Sequence, residues 1–398
     1  MLIFLVAASV GQTQQTCTDL FNRERPINYG GFRAGFQHNN NYKVTVKDAT
    51  PIKDQCGFAT CTIQAWAGLL EQNYYAQNNK IIEISTRYLS LARWWSLTME
   101  RLMTDGPLSK TNFASNLFKS RDLILKFGLV PQSVLKPNVE FDAFGVSDRL
   151  VQQFENIVAR YQTKIINEKD KDKQQKLFSE AEKIIEKMFE GLIGEFPEQF
   201  EFEGKLFTPK SFRETYFPQI AGTSTTISVD LDRKAKVVRV ATDGGVDVLT
   251  AQIDVVEKKA RELLDNGISF ILGYDHQSSF ADDRTGVLGI KIFDFVDSGR
   301  PLSRAERNAQ GLGDEGHAVL VVGYDYDPVT NKVIKWKIKN SWGPNAGDGG
   351  YDHMYNDYFR AFSTSITFFT NPYVSAPSAV PLTVVDPQAV AKPELTGP

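Results

Sequence analysis

Charge of either sign is not in excess in this chain. Its 45 lysines and arginines stand against 48 aspartates and glutamates, a formal net charge of −3. That balance provides no electrostatic case for binding nucleic acid or an anionic membrane. Long apolar runs are missing too, since no stretch approaches the ~18 consecutive apolar residues of a membrane span. Histidine and cysteine are scarce, four and three in 398 residues, so every candidate for acid–base or thiol chemistry can be weighed singly. An odd number of cysteines leaves one thiol outside any internal pairing. In an oxidising compartment Cys17 and Cys56 can pair and leave Cys61 free, and in the cytosol all three would be thiols. Hydrophobic content of 42% and charged content of 23% are ordinary for a globular chain. The length is enough for two or three packed units at roughly 100–200 residues each.

What is present is organised around one short stretch, Asp54-Gln55-Cys56-Gly57-Phe58-Ala59-Thr60-Cys61. An apolar, helix-favouring run follows it, residues 62–75 (TIQAWAGLLEQNYY). A loop that delivers a cysteine to the first turn of a buried helix is a device for making a thiolate, because the helix N-terminus carries partial positive charge. Gln55 lies six residues before Cys61, where its amide can face an oxyanion formed at the sulfur. Far downstream come Gly316-His317-Ala318-Val319 and then Lys339-Asn340-Ser341-Trp342-Gly343. Gln, Cys, His and Asn in this order are the parts that a thiol peptidase needs.

Taken together, these blocks resemble the papain-like cysteine peptidases. The resemblance rests on Gln55 with Cys61, on GHAVLVVGYD at 316–325, on KNSWG at 339–343 and on Gly349-Gly350-Tyr351. It implies an α+β, papain-like fold of two parts, a helical one and one built on an antiparallel, barrel-like sheet. Further blocks resemble the bleomycin hydrolase and aminopeptidase C branch: GLVP at 128–131, IGEFPEQF at 193–200, FTPKSF at 207–212 and LSRAER at 302–307. That branch inserts helices into the papain-like core, and the spacing agrees. Cys61 and His317 are 256 residues apart, where papain-type chains have roughly 130–150, a surplus of about 110.

The chain in order supports the same division. Residues 1–16 open with the apolar run MLIFLVAA and then turn small and polar, as the remnant of a secretory signal would, although a basic n-region is absent. Secretion or a periplasmic location is therefore expected, with the cytoplasm of the resembling branch as the alternative. Residues 17–139 form the helical part with the nucleophile. They include a Ser85-capped helix at 85–102, in which Trp94 and Trp95 are packing residues, and a helix near 114–127 that ends at Gly128. Residues 140–222 are the insertion. In it the stripe Leu150, Phe154, Ile157, Val158, Tyr161, Ile165 and the stripe Leu177, Ala181, Ile184, Ile185, Met188, Leu192 form two helices, joined by a polar turn at 168–176. Residues 223–370 carry strands and the His and Asn blocks. His38 and His276 read as ordinary loop residues and His353 as structural. Residues 371–398 are rich in Pro, Val and Ala and cannot form a core alone.

The resemblance assigns roles. Cys61 would attack the carbonyl, His317 would exchange the proton, Asn340 would orient the imidazole and Trp342 would cover that contact. Gln55 would stabilise the oxyanion, an effect worth roughly 3–4 kcal/mol per donor. Such chemistry requires no metal or organic cofactor. The expected partner is a peptide or protein substrate. The branch also implies aminopeptidase action, a hexamer, and a C-terminus that enters the cleft and selects free N-termini. Four features depart from it: Thr62 in place of a tryptophan, no double glycine between Leu102 and Gly128, seven residues past a branch-like end at Ala391, and the secretory-looking N-terminus. They keep two alternatives open, a papain-type endopeptidase and an inactive relative that binds without cleaving.

Overall fold

The computed structural model describes residues 32–56, 59–103, 116–135, 146–193, 196–230, 237–243, 246–277, 280–293 and 316–370. The apolar N-terminal run, Cys17 and the tail at 371–398 lie outside the described residues. So do residues 104–115, within the segment between Leu102 and Gly128 that has no double glycine.

The short strand β1 (Val44–Thr45) leads to three helices, α1 (Cys61–Asn78), α2 (Thr86–Leu102) and α3 (Leu117–Phe127). Every residue of α1 from Thr62 to Asn73 is buried. A helix covered all round belongs at the centre of a domain, and this one lies between the main sheet and the other two helices. Ser85 caps α2 by accepting from the Tyr88 N–H at 3.2 Å, as its sequence position suggests. Asn116 caps α3 in the same way through Lys119 N–H at 2.8 Å, so that helix begins a turn later than the apolar pattern indicates. It ends at Gly128, φ +81°, where a Cβ would stand 2.3 Å from the Pro209 carbonyl carbon. Only glycine admits that approach, which Leu129 N–H uses to reach Pro209 O at 2.9 Å.

The insertion is a helix pair, α4 (Val146–Asn167) and α5 (Lys171–Ile193), seated on α2. Trp94, Met99 and Leu102 of α2 meet Val158, Tyr161 and Ile165 of α4 and Ala181, Ile185 and Phe189 of α5 in one buried cluster. The Trp94 and Phe189 rings lie 4.9 Å apart. The polar turn is shorter than the expected 168–176. Asp170 accepts from the N–H groups of Asp172 and Lys173 at 3.0 and 3.2 Å, a cap that starts α5 at once and turns the charged residues after it into a solvated first turn. The hairpin of β2 (Phe200–Phe202) and β3 (Lys205–Phe207) and the capped helix α6 (Pro209–Tyr216) return the chain to Gly128.

The rest is one large sheet with two helices: β4 (Ser224–Val229), β5 (Val237–Asp243), β6 (Val246–Ala251), α7 (Ile253–Asp265), β7 (Phe270–Asp275), β8 (Ala281–Asp282), β9 (Val287–Leu288), β10 (Gly316–Tyr326), β11 (Val333–Lys339), β12 (Tyr351–Tyr355), α8 (Asn356–Phe362) and β13 (Ser363–Phe369). The strand order is β5-β6-β4-β13-β7-β10-β11-β12-β9-β8, with β1 also on β10. Two pairings, β4 with β6 and β9 with β12, are parallel. The α+β class agrees with the sequence reading, but the antiparallel barrel does not. Among the described residues β5 and β8 are unpaired to each other and the mixed sheet stays open. Closure needs strands long enough to tilt and stagger around a common axis, whereas β8 and β9 have two residues each beside the 11 of β10.

Candidate active site

Three chain segments meet at one end of α1. The first is the approach 48–55, held by buried ion pairs that the motif reading did not anticipate. Lys53 pairs with Glu71 of α1, and Lys339 pairs with Asp48 at 2.9 Å. Glu71 also accepts from Ile84 N–H at 2.6 Å, so the chain just before Gln55 is fastened to the helix that bears Cys61. The second segment is α1 itself. The third joins β10, which begins at Gly316, to the residues that follow β11. Asp54 bridges Trp342, Gln55 N–H donates to Ser341 O at 2.8 Å, and Gly343 N–H donates to Lys53 O at 2.9 Å. Gln55 is thereby laid beside Asn340, although 285 positions separate them.

Cys61 is the first residue of α1 and is partly exposed. Burial pushes its thiol up, and the backbone groups of Ala318, Thr62 and Cys61 itself pull the other way by a smaller amount. The amides of Cys61 and Thr62 are among those that a first helical turn leaves without an internal acceptor. Ala318 adjoins His317, and its effect on the thiol sets β10's start near Cys61. The net effect is a thiol above its ordinary range. The helix terminus does not outweigh that burial. Cys56 is disulfide-bonded, so Cys61 is the free thiol of the two.

His317 is buried, and its Nε2 lies 2.8 Å from Asn340 Oδ1. The identity of that oxygen follows from its other partner, because Ser341 N–H, which can only donate, reaches the same atom at 2.7 Å. Nε2 must then carry the proton, which leaves Nδ1 as the basic nitrogen. Trp342 stacks on the imidazole at 4.9 Å and 24°. Tyr274, opposite His317 in the β7–β10 register, meets it edge-on at 5.7 Å. Ser341 Oγ donates to Gln55 Oε1 at 2.8 Å, which fixes the acceptor end of that amide and hence the end that presents N–H donors. The five residues singled out in the sequence (Gln55, Cys61, His317, Asn340 and Trp342) thus converge.

Three other residues of the site carried no recognised motif. Asp352, buried on β12, accepts from Asn340 Nδ2 at 2.6 Å. His276 is buried as well and is no loop residue in the ordinary sense. Its ring meets Trp342 at 5.2 Å and His317 at 6.4 Å, and its Nε2 lies 3.3 Å from Asp283. Tyr274 touches both histidines. An acid in mid-strand, Asp352, was the one available signal, since aspartate is depleted from strands. His38 also departs from the reading as a surface residue. It is half-buried, with its ring 4.5 Å from that of His353, which is buried and structural.

A free thiol, an imidazole with a fixed tautomer and an amide bonded to it are the groups that cysteine-dependent acyl transfer uses. Residues 118–377 match the Peptidase C1-like family, and the chain belongs to that family. The matched span includes His317 and Asn340; Cys61 and Gln55 precede it. Among curated relatives, Aminopeptidase G of Lactobacillus delbrueckii subsp. lactis is 25% identical over 263 residues, 60% of this chain and 59% of that protein. Aminopeptidase C of Lactococcus lactis subsp. cremoris is 27% identical over 263 residues, 57% and 56% respectively. The chain therefore spans less than two thirds of the length of these relatives. A solved structure, pepw from Lactobacillus rhamnosis hn001, shares the fold at a TM-score of 0.66 and 19% identity, covering 84% of this chain and 83% of that one.

Proposed function

We propose that this chain is a thiol-dependent peptidase in which Cys61, His317 and Asn340 form the catalytic triad and Gln55 serves the oxyanion. The observation that carries the reading is the 2.8 Å contact of His317 Nε2 with Asn340 Oδ1, made while Ser341 Oγ holds the Gln55 amide beside them at 2.8 Å. In this mechanism Nδ1 takes the Cys61 proton, and the thiolate attacks the peptide carbonyl. The imidazolium then protonates the leaving amine, and water releases the acyl group by the reverse sequence. The Cys61 N–H and the Gln55 amide are the donors to the tetrahedral oxygen.

The names of the relatives support a narrower reading, cleavage at free N-termini. One fluorogenic peptide, offered free and N-acetylated, tests it. Turnover of the free form alone is expected, and equal rates would make the enzyme an endopeptidase. A peptide bearing a thiol-reactive electrophile should label Cys61 and no other residue, and Cys61→Ala should reduce hydrolysis to background in a folded protein. Absence of both labelling and turnover would favour the inactive, binding alternative. Secretion or a periplasmic location is also proposed, supported by the disulfide at Cys56. Protein from its native host that starts at Met1 and carries three free thiols would overturn it.

A further inference from the structure

The amide of Asn340 faces two ways. Its oxygen serves His317 and Ser341 N–H, and its Nδ2 donates to Asp352 Oδ2 at 2.6 Å. Asp352 is 3% exposed, and burying a carboxyl group is costly unless bonds replace those to solvent. The fold also makes room for it. A Cβ on Gly286 would lie 2.9 Å from Asp352 Oδ1, and a Cβ on Gly347 would lie 2.8 Å from the same atom; both glycines have positive φ, +71° and +56°. Two left-handed glycines from separate loops therefore admit one carboxyl oxygen, while the other oxygen meets Asn340. His353 N–H to Gly286 O, at 2.6 Å, ties one of these loops to β12.

We infer that Asp352 is a positioning residue of the site, holding the Asn340 amide so that its oxygen stays on His317. The inference rests on the triad reading above and extends it by one residue. Two oriented contacts run in series from Asp352 to Asn340 to His317, and a rotation of the amide would present an N–H to Nε2 and spoil the tautomer. The charge environment suits an acceptor of either protonation state. Burial and the neighbouring Asp283 push the Asp352 carboxyl well above the usual range, and the bond from Asn340 opposes them. Asp283 in turn lies beside His276, and Tyr274 and Tyr42 are within electrostatic reach of the same carboxyl. A protonated carboxyl still offers a carbonyl oxygen, and so does an asparagine side chain.

The test is a double-mutant cycle in the full chain, with kcat, KM and melting temperature read for each variant. Asp352→Leu removes the acceptor and should lower kcat about 10- to 100-fold, the range shown by outer partners of functional histidines, with KM within about threefold. Asp352→Asn keeps an acceptor oxygen and should restore most of the rate. In an Asn340→Ala background, Asp352→Leu should cost nothing further, because its effect passes through Asn340. A residue needed only for packing would lower the melting temperature and act equally in both backgrounds. Should Asp352→Leu not fold, Asp352→Ser takes its place, with a hydroxyl too short to span the contact. Parental kcat in the folded Leu or Ser variant, a full loss in Asp352→Asn, or additive losses with Asn340→Ala would each overturn the inference. A parent that neither turns over peptide nor labels at Cys61 would instead overturn the reading beneath it.

Discussion

Cys61 stands at the first position of a helix, yet burial holds its thiol above the ordinary value. Partial charge at a helix end is worth only about 0.3–1 kcal/mol in exposed sites, and desolvation of a thiolate outweighs it here. In the proposed mechanism the imidazolium of His317 supplies the difference. Its removal has a definite sign: in His317→Ala the thiolate appears only at higher pH, and alkylation by iodoacetamide at neutral pH slows by about tenfold for each unit that the thiol rises. A pH–rate profile of alkylation checks this, and an unmoved midpoint would show that the backbone amides alone ionise the sulfur. Gln55→Ala should lower kcat about a hundredfold or more, the usual loss on removing one oxyanion donor, with its fold kept by the backbone contact to Ser341. Of these residues the motifs disclosed Cys61, His317, Asn340, Trp342 and Gln55. They did not disclose Tyr274, His276 or Asp352, because a packing contact has no spacing rule.

The insertion is the element whose design can be tested apart from the chemistry. Ile185 is wholly buried between α5, α4 and α2. Ile185→Ala should destabilise the protein by about 2–5 kcal/mol through lost transfer energy and a cavity. Asp170→Ala removes the cap of α5 and should cost about 1 kcal/mol. Urea unfolding measures both, and kcat per folded molecule should stay at the parental value, since neither side chain reaches the triad. The two apolar stripes were legible because a helix repeats every 3.6 residues. The start of α5 was misread for a local reason: one aspartate side chain ended the turn six residues earlier than charge density suggested.

At the scale of the whole molecule, the segment before β1 is clasped to β12 by paired rings. His38 packs on His353 at 4.5 Å, and Tyr42 OH meets His353 Nδ1 at 2.5 Å. Burial, then the neighbouring His38, push His353 down to about 4, against the pull of Asp348; burial lowers His38 too. A histidine depressed in the fold binds its proton more readily when unfolded, so stability rises with pH in that window. The contribution of His353 is complete above about 6.5, is lost as pH falls toward 4, and changes no further below. Asp352, raised in the fold, has the opposite sign, its contribution shrinking as pH rises above the ordinary carboxyl range. The two are separated by comparing the parent with His353→Gln. The melting temperature of the parent should fall more steeply between pH 6.5 and 4 than that of the variant, and parallel curves would show that His353 bears no such linkage.

From its sequence alone this protein declared its family, its α+β class, the helix pair α4–α5 and five residues that converge in one candidate site. Those features are local: a cysteine opening a helix, an NSWG block, apolar stripes of one period. Tertiary structure decided the rest. The open sheet depends on how far β8 and β9 extend against β10, which no local pattern encodes. The carboxyl behind Asn340, the histidine beside Trp342 and the clasp of His38 on His353 each join residues from distant segments. Burial, which shifts the titration of Cys61, Asp352 and His353, exists only once those segments have packed.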